Sequence, residues 1–133
     1  MEIIIRDDRF VIERAEEFAE FCREAFREHL ENNVRMGPCF MTAEKMREWA
    51  RGRVVFCAYD GDKLLGFSLL EINENANPKS AYVKLTVISS EMQGKGIGSE
   101  LNSSMEKYCT RGGGGHVFLP RIQVQNSREI FIG

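Results

Sequence analysis

The stretch that decides the fold is Gln93-Gly94-Lys95-Gly96-Ile97-Gly98-Ser99. It follows the apolar run 81–88 and precedes residues 100–108, whose apolar positions have helical spacing, so the predicted order is strand, glycine-rich turn and helix. Alternating glycines let the backbone come close to a ligand, and the start of a helix offers unpaired N–H groups and the positive end of its dipole. The stretch therefore predicts an anion site that suits a diphosphate.

Two common diphosphate motifs do not fit this spacing. A Walker P-loop ends in Gly-Lys-Ser/Thr, but Lys95 stands between two glycines, which disfavours a nucleoside triphosphate. A Rossmann motif would have its third glycine at Ser99, and its acidic ribose partner about 20 residues later at the end of a strand. Residues 112–116 predict a loop there instead. A nucleotide-binding or redox βαβ protein is therefore disfavoured.

The stretch resembles the Q/R-x-x-G-x-G/A signature of the GNAT superfamily of acyl-CoA-dependent N-acyltransferases, with strand, turn and helix in the family's order. The resemblance implies an α/β fold with a central, mostly antiparallel mixed sheet flanked by helices. It implies acetyl-CoA as cosubstrate, with its pyrophosphate on the turn and its pantetheine arm on the end of the preceding strand. The residues expected to bind it are Thr86, Val87, Ile88, Gln93, Gly94, Lys95, Gly96, Ile97, Gly98, Ser99 and Asn126.

The reaction that the resemblance implies is direct attack by a primary amine, of a small molecule or a protein, on the thioester. Many family members carry a glutamate base on a central strand, and Glu71 is the best candidate here; the alternative is a surface-facing strand glutamate. The family's tyrosine acid, counted from Asn126 in the pattern N-x-x-A-x-x-x-Y, falls on Gly133, and Glu129 replaces the alanine. A non-catalytic acyl-CoA-binding or sensor module of the same fold therefore stays open as the alternative function.

Length and charge agree with one soluble domain spanning residues 1–133. The net charge is −2, with both signs spread along the chain, so no nucleic-acid partner is predicted. No apolar run approaches the roughly 18 residues of a membrane span, and residues 1–6 are too short and too acidic for a signal peptide. These observations predict a cytoplasmic protein with no membrane partner.

Cysteine spacing and local basic residues predict no further site. The four cysteines, Cys22, Cys39, Cys57 and Cys109, form no C-x-x-C pair and lie near no pair of histidines, so we expect reduced thiols and no metal. The arginines Arg47, Arg51 and Arg53 are interpreted as a solvated helix end.

Hydrophobic periodicity and turn residues divide the chain into alternating elements. In chain order, the predicted elements are a strand Glu2–Arg6, helices Arg9–Leu30 and Ala43–Arg51, strands Val54–Tyr59, Leu64–Ile72 and Tyr82–Ile88, a helix Gly98–Cys109 and a strand His116–Gln125. Thr42 is expected to cap the helix 43–51 and Gly52 to end it, and Asp60-Gly61 should form the turn between the strands 54–59 and 64–72. The strand 82–88 is expected to be central and covered on both faces, with Val83, Leu85 and Val87 on one face. The last strand should run parallel to it, because a helix connects them.

The end of the chain carries a further expectation. The family fold continues into two more strands, so the resemblance implies a C-terminally short member in which the strand 116–125 has an open edge beside Ile130, Phe131 and Ile132. A homodimer across that edge is one hypothesis; a truncated product and a degenerate family member are the others. The resemblance also implies that the loop 35–40, between the first two helices, lines the acceptor site; a plain connector is the alternative.

Overall fold

The computed structural model describes residues 1–27, 41–73, 75, 80–112 and 117–119. Within them, one sheet contains five strands whose spatial order is also their chain order: β1 Glu2–Arg6, β2 Val54–Asp60, β3 Lys63–Asn73, β4 Ser80–Ile88 and β5 Val117–Leu119. The first four strands pair antiparallel, and β5 pairs parallel with β4. The predicted mixed, mostly antiparallel sheet is confirmed.

Helices cover both faces of this sheet. They are α1 Asp8–Ile12, α2 Ala15–Ala25, α3 Ala43–Ala50 and α4 Ile97–Lys107, and a π-helical turn Tyr108–Gly112 follows α4. One buried cluster joins α1, α2 and α3 to the sheet through residues such as Phe18, Met46 and Leu69. The other joins α4 to the opposite face through residues such as Phe56 and Leu101. No helix within the described ranges is long and apolar enough to span a membrane.

The prediction of one continuous helix from Arg9 is wrong, because the chain breaks between α1 and α2. The backbone N–H of Arg14 donates to the Val11 carbonyl at 3.0 Å, one residue short of the α-helical acceptor. The freed carbonyl of Phe10 accepts from the Arg14 guanidinium at 3.1 Å, and that guanidinium lies 4.1 Å from the centre of the Phe10 ring. A side chain therefore replaces the missing backbone bond. The predicted helical end 28–30 lies outside the described residues.

The local signals at the next two elements are confirmed. The Thr42 hydroxyl accepts from the Lys45 N–H at 3.1 Å and caps α3. Gly52 follows that helix at φ 77°, and Gly61 joins β2 to β3 at φ 62°, both in the left-handed region that favours glycine. Because these signals involve neighbouring residues, sequence alone was enough to locate them.

A bulge in β4 corrects the predicted faces of that strand. Leu69 pairs with Leu85 while Leu70 pairs with Val83, so Lys84 is an extra residue on β4. As a result, Val83 packs in the α4 cluster, whereas Leu85 and Val87 pack in the opposite cluster. Val83, Leu85 and Val87 therefore do not share one face, but the prediction that both faces of β4 are covered is confirmed.

The parallel strand after α4 is confirmed over residues 117–119, which pair with Ser80, Ala81 and Tyr82. Further predictions concern residues outside the described ranges: the rest of the strand to Gln125, the loop 35–40, Cys39, His116, Asn126 and the edge proposed for a homodimer.

Gly66 on β3 lets three elements meet closely at the end of β4. A Cβ at this position would lie 2.7 Å from Ile88 Cδ1, 3.0 Å from the Val87 carbonyl oxygen and 3.3 Å from Ile97 Cγ2. Even one methyl group is therefore too large without a shift of the neighbours. This contact joins the sheet directly to the first residue of α4.

We expect Gly66→Ala to lower the free energy of unfolding by about 1–3 kcal/mol, because the new methyl group overpacks this contact. Adding Ile88→Val removes the Cδ1 atom that lies nearest and should recover part of the loss, although Ile88→Val alone destabilises. Urea unfolding of the three variants measures both effects. Equal or greater instability in the double variant would contradict the proposed clash.

Candidate cofactor site and adjoining pocket

The predicted anion-binding stretch forms one compact turn between β4 and α4. A short 3-10 helix Ser90–Met92 leads into it, and the Lys95 N–H donates to the Met92 carbonyl at 3.3 Å. Gly94 has φ 78° and Gly96 has φ 87°, and a Cβ at either position would meet open space. These two positions favour glycine because of backbone conformation, not because of crowding.

The start of α4 presents backbone N–H groups that the described part of the chain leaves without an acceptor. Its first hydrogen bond runs from the Glu100 N–H to the Gly96 carbonyl at 3.1 Å, and Gly96, as the N-cap, has no side chain to accept a bond. The N–H groups of Ile97, Gly98 and Ser99 therefore have no acceptor among the described residues. Together with the helix dipole they form a site for an anion, and Lys95 beside them is exposed.

Gln93 attaches this turn to the strand before it. Its side-chain amide donates to the Ile88 carbonyl at 3.1 Å, which fixes the direction in which the chain leaves β4. Of the predicted binding residues, those from Gln93 to Ser99 form one continuous segment, and Thr86, Val87 and Ile88 lead directly into it. Asn126 lies outside the described residues.

The three strand residues offer a ligand backbone groups only. The Thr86 hydroxyl lies 2.8 Å from the Ser68 hydroxyl, and both side chains are buried. Val87 and Ile88 are buried in the clusters on opposite faces of the sheet. Their side chains are therefore part of the protein core.

One edge of β4 near this turn has no partner strand within the described residues. On that edge β5 pairs with residues 80–82, and the described residues provide no strand partner for Val83 to Ile88. Six residues of extended strand correspond to about 20 Å. An extended ligand that carries amide groups could pair along this edge and end at the turn.

Glu71 lies toward the other end of β4, because it pairs with Tyr82, six residues or about 20 Å of strand from Ile88. One carboxylate oxygen accepts from Arg53 Nε at 2.9 Å, and the other accepts from the Tyr82 hydroxyl. The Tyr82 hydrogen bond and then Arg53 lower the pKa of Glu71 below its ordinary value of 4.5. The carboxylate is thus anionic and bonded through both oxygens, which weakens it as a base; its predicted catalytic role stays a prediction.

Arg53 is not the solvated helix end that the sequence suggested. Only 17% of its side chain is exposed, and besides Glu71 it donates to the Trp49 carbonyl at 2.5 Å. The Lys84 ammonium lies 5.3 Å from the centre of the Trp49 ring. This polar network joins α3 to β3 and β4, and sequence reasoning missed it because its members are distant along the chain.

A pocket of about 280 Å³ lies at the same end of β4 as the glycine turn. The end of α2, the start of β3 and the chain after β4 line it through Phe21, Glu24, Ala25, Lys63, Leu64, Ser89, Ser90 and Glu91. The Ser89 hydroxyl oxygen is buried, and no described residue hydrogen-bonds to it. The Glu91 carboxylate accepts from Lys63 at 2.7 Å, and this hydrogen bond lowers the pKa of Glu91. The pocket was missed from sequence because three separate segments form it.

The cysteines do not contribute to a site within the described residues. Cys22, Cys57 and Cys109 are buried free thiols, and burial raises the pKa of Cys22 and of Cys57 to about 12. They are therefore neutral and weakly nucleophilic at neutral pH. Within the same ranges, no three His, Cys, Asp or Glu side chains are grouped so that they could hold a metal ion.

Comparison with known proteins identifies the class to which this fold and site belong. Residues 12–130 match the family described as Acetyltransferase (GNAT) family. The chain belongs to that family, so the predicted resemblance and the predicted class of enzyme, a GNAT-type acyltransferase, are confirmed. No curated protein matches the sequence significantly.

Solved structures with the same fold include three acetyltransferases of low sequence identity. An aminoglycoside acetyltransferase from an uncultured soil metagenomic sample, in complex with sisomicin, is 16% identical over 92% of this chain and 78% of its own, with a TM-score of 0.63. A ribosomal-protein-alanine N-acetyltransferase from Brucella melitensis biovar Abortus 2308 is 15% identical over 93% and 83%, with a TM-score of 0.63. A possible acetyltransferase from Clostridium difficile 630 is 13% identical over 95% and 83%, with a TM-score of 0.65.

We expect the network around Glu71 to stabilise the fold in a pH-dependent way. A carboxylate whose pKa is lower in the folded state stabilises above its unfolded pKa, and this stabilisation is lost as the pH falls through the folded pKa. Glu71→Gln should therefore lower the free energy of unfolding at pH 7 by roughly 1 kcal/mol, and by less at an acidic pH well below the ordinary pKa of 4.5, where wild-type Glu71 becomes protonated too.

Urea unfolding of wild type and variant at both pH values measures this difference. Glu16→Gln is a matched control, because Glu16 forms its ion pair with Arg23 while 71% of its side chain is exposed. That control should change stability little at either pH. If Glu71→Gln lowered the free energy of unfolding by the same amount at pH 7 and at the acidic pH, the charge of Glu71 would not be what stabilises the fold.

Proposed function

We propose that this protein transfers an acetyl group from acetyl-CoA to a primary amine. The proposal rests on two neighbouring features of the described residues: the N–H groups of Ile97, Gly98 and Ser99 have no acceptor there, and the adjoining edge of β4 has no partner strand there. In this proposal, the pyrophosphate accepts hydrogen bonds from those N–H groups. The positive φ of Gly94 and Gly96 favours glycine, so no side chain at these two positions obstructs the pyrophosphate. The pantetheine arm then pairs with backbone groups of Thr86, Val87 and Ile88.

Because the pyrophosphate end of the cofactor lies at the turn in this proposal, the thioester lies further back along β4, and the acceptor amine meets it there. An amine approaches as an ammonium ion and reacts after it loses a proton. The amine nitrogen forms a bond to the thioester carbon, the carbon–sulfur bond breaks, and the CoA thiolate takes up a proton.

The names of the structural neighbours support an amine acceptor without selecting its size. One neighbour is an aminoglycoside acetyltransferase and another is a ribosomal-protein-alanine N-acetyltransferase, which represent a small-molecule amine and a protein amine. Both acceptor types belong in a substrate test of this chain.

The first test is binding of CoA to wild type and to Gly96→Glu. A carboxylate beside the free N–H groups should repel the pyrophosphate and weaken CoA binding by about ten-fold or more, which calorimetry can measure. Gly52→Glu is the matched control, since Gly52 has φ 77° and open space like Gly96 but lies beyond the opposite end of the sheet.

Both variants carry a similar backbone strain of about 1–2 kcal/mol. Gly52→Glu should lose more stability, because its charge lies at the C-terminal end of α3, where the Gly52 N–H bonds Asp8, and thermal unfolding should show that both variants are folded. Only Gly96→Glu should lose affinity for CoA. If Gly96→Glu bound CoA with unchanged affinity, the pyrophosphate would not bind at this turn.

The second test is release of free CoA thiol from acetyl-CoA in the presence of an amine panel. We expect amine-dependent release with at least one of an aminoglycoside, a small aliphatic polyamine and a peptide with a free N-terminus. Mass spectrometry of the acceptor should show the added acetyl group. Tight CoA binding without release for any amine would instead favour the alternative, a non-catalytic acyl-CoA-binding module.

The same assay decides the role of Glu71. If Glu71 acts as base, Glu71→Gln should lower kcat and leave CoA affinity unchanged. An unchanged kcat, together with reduced stability at neutral pH, would limit Glu71 to its structural network with Arg53 and Tyr82.

A further inference from the structure

The strand β1 is the outermost strand on one side of the described sheet. It pairs with β2 on one side, and the described residues provide no strand on its other side. Ile5 is 41% exposed and Met1 is 56% exposed, and they are the large hydrophobic residues with high exposure in the described part of the chain. The strand contains no proline or lysine, the residues that commonly protect an edge from pairing.

Two copies of β1 that run antiparallel have complementary charges. From Glu2 to Arg6 it has an acidic residue, three isoleucines and a basic residue. In an antiparallel pair of two such strands centred on Ile4, each Glu2 stands opposite the Arg6 of the other strand. The isoleucines then stand opposite one another between the two ion pairs.

We propose that β1 pairs antiparallel with β1 of a second copy of this chain, around a two-fold axis at Ile4. The pairing joins the two sheets into one continuous sheet and hydrogen-bonds two edges that are otherwise open. We assign the edge to a second copy because the charges of β1 are complementary to those of an antiparallel β1. This surface is distinct from the C-terminal edge and does not involve the glycine turn.

The charges also fix the register of the pairing. A centre moved by one residue, to Ile3 or to Ile5, would place Glu2 or Arg6 opposite Ile4 and leave both charges without an opposite charge. Register is well specified when one alignment alone satisfies the charges and the faces. The alignment centred on Ile4 meets both conditions.

The two faces of β1 agree with this alignment. Ile3 packs against the cluster beneath α4, and Ile5, two residues later, lies on the same face; in the pair, each Ile3 would stand opposite an Ile5 of the other copy. Arg6 is on the opposite face, where its guanidinium lies 5.7 Å from the centre of the Phe10 ring. Its contact with the Ile5 carbonyl is long, at 3.3 Å, and exposed, so it can be exchanged for the Glu2 carboxylate of the second copy.

A charge-swap cycle tests the proposal by sedimentation equilibrium over a range of protein concentrations. Wild type should be in a monomer–dimer equilibrium. Glu2→Arg and Arg6→Glu should each weaken self-association by about ten-fold or more, because like charges then stand opposite at both ends of the pair. An equimolar mixture of the two variants should associate again, and the double variant Glu2→Arg/Arg6→Glu should associate like wild type.

Two controls separate this interface from other causes. Glu20→Arg changes an exposed charge on α2 and should leave the dissociation constant unchanged, and thermal unfolding should show that all variants are folded. Wild type that stays monomeric at every concentration would overturn the proposal. A dimer that withstands both single substitutions would overturn it too, because the contact would then lie elsewhere, including the C-terminal edge.

Discussion

The antiparallel pairing between β3 and β4 is the interaction on which the rest of this structure depends. This pairing covers one edge of β4, while the two core clusters cover its faces. Among the described residues, the other edge has no partner strand from Val83 onward. The bulge at Lys84 changes which face each later residue occupies, so Leu85 and Val87 pack under the helices of the opposite layer. A strand can thus be buried in the core and still offer backbone groups to a ligand.

The glycine turn owes its position to packing as much as to its own sequence. Gly66 allows Ile88 and Ile97 to approach β3, and Gln93 bonds the Ile88 carbonyl. These contacts set where α4 begins, and hence where the N–H groups of Ile97 to Ser99 point. Site geometry and fold stability therefore depend on the same few residues, which is why a single methyl group at Gly66 is expected to affect both.

The sequence predicts best the features that neighbouring residues determine. Thr42, Gly61 and the turn 93–99 each carry a local conformational preference that the structure confirms. The break before α2 could not be foreseen, because it relies on Arg14 replacing a backbone hydrogen bond with its side chain. Other features depend on how distant segments align, which no single stretch encodes. They are the network of Arg53, Glu71 and Tyr82, the bulge at Lys84 and the pocket that Ser89 lines.

The buried side chains of Thr86, Val87 and Ile88 have an evolutionary consequence. Because these residues offer only peptide groups to a ligand, any set of side chains that fills the two cores preserves the same pattern of donors and acceptors. Selection on the edge of β4 then acts on the shape and volume of these side chains, and the amino-acid identities can change. Such a strand can change its sequence while its backbone pattern persists.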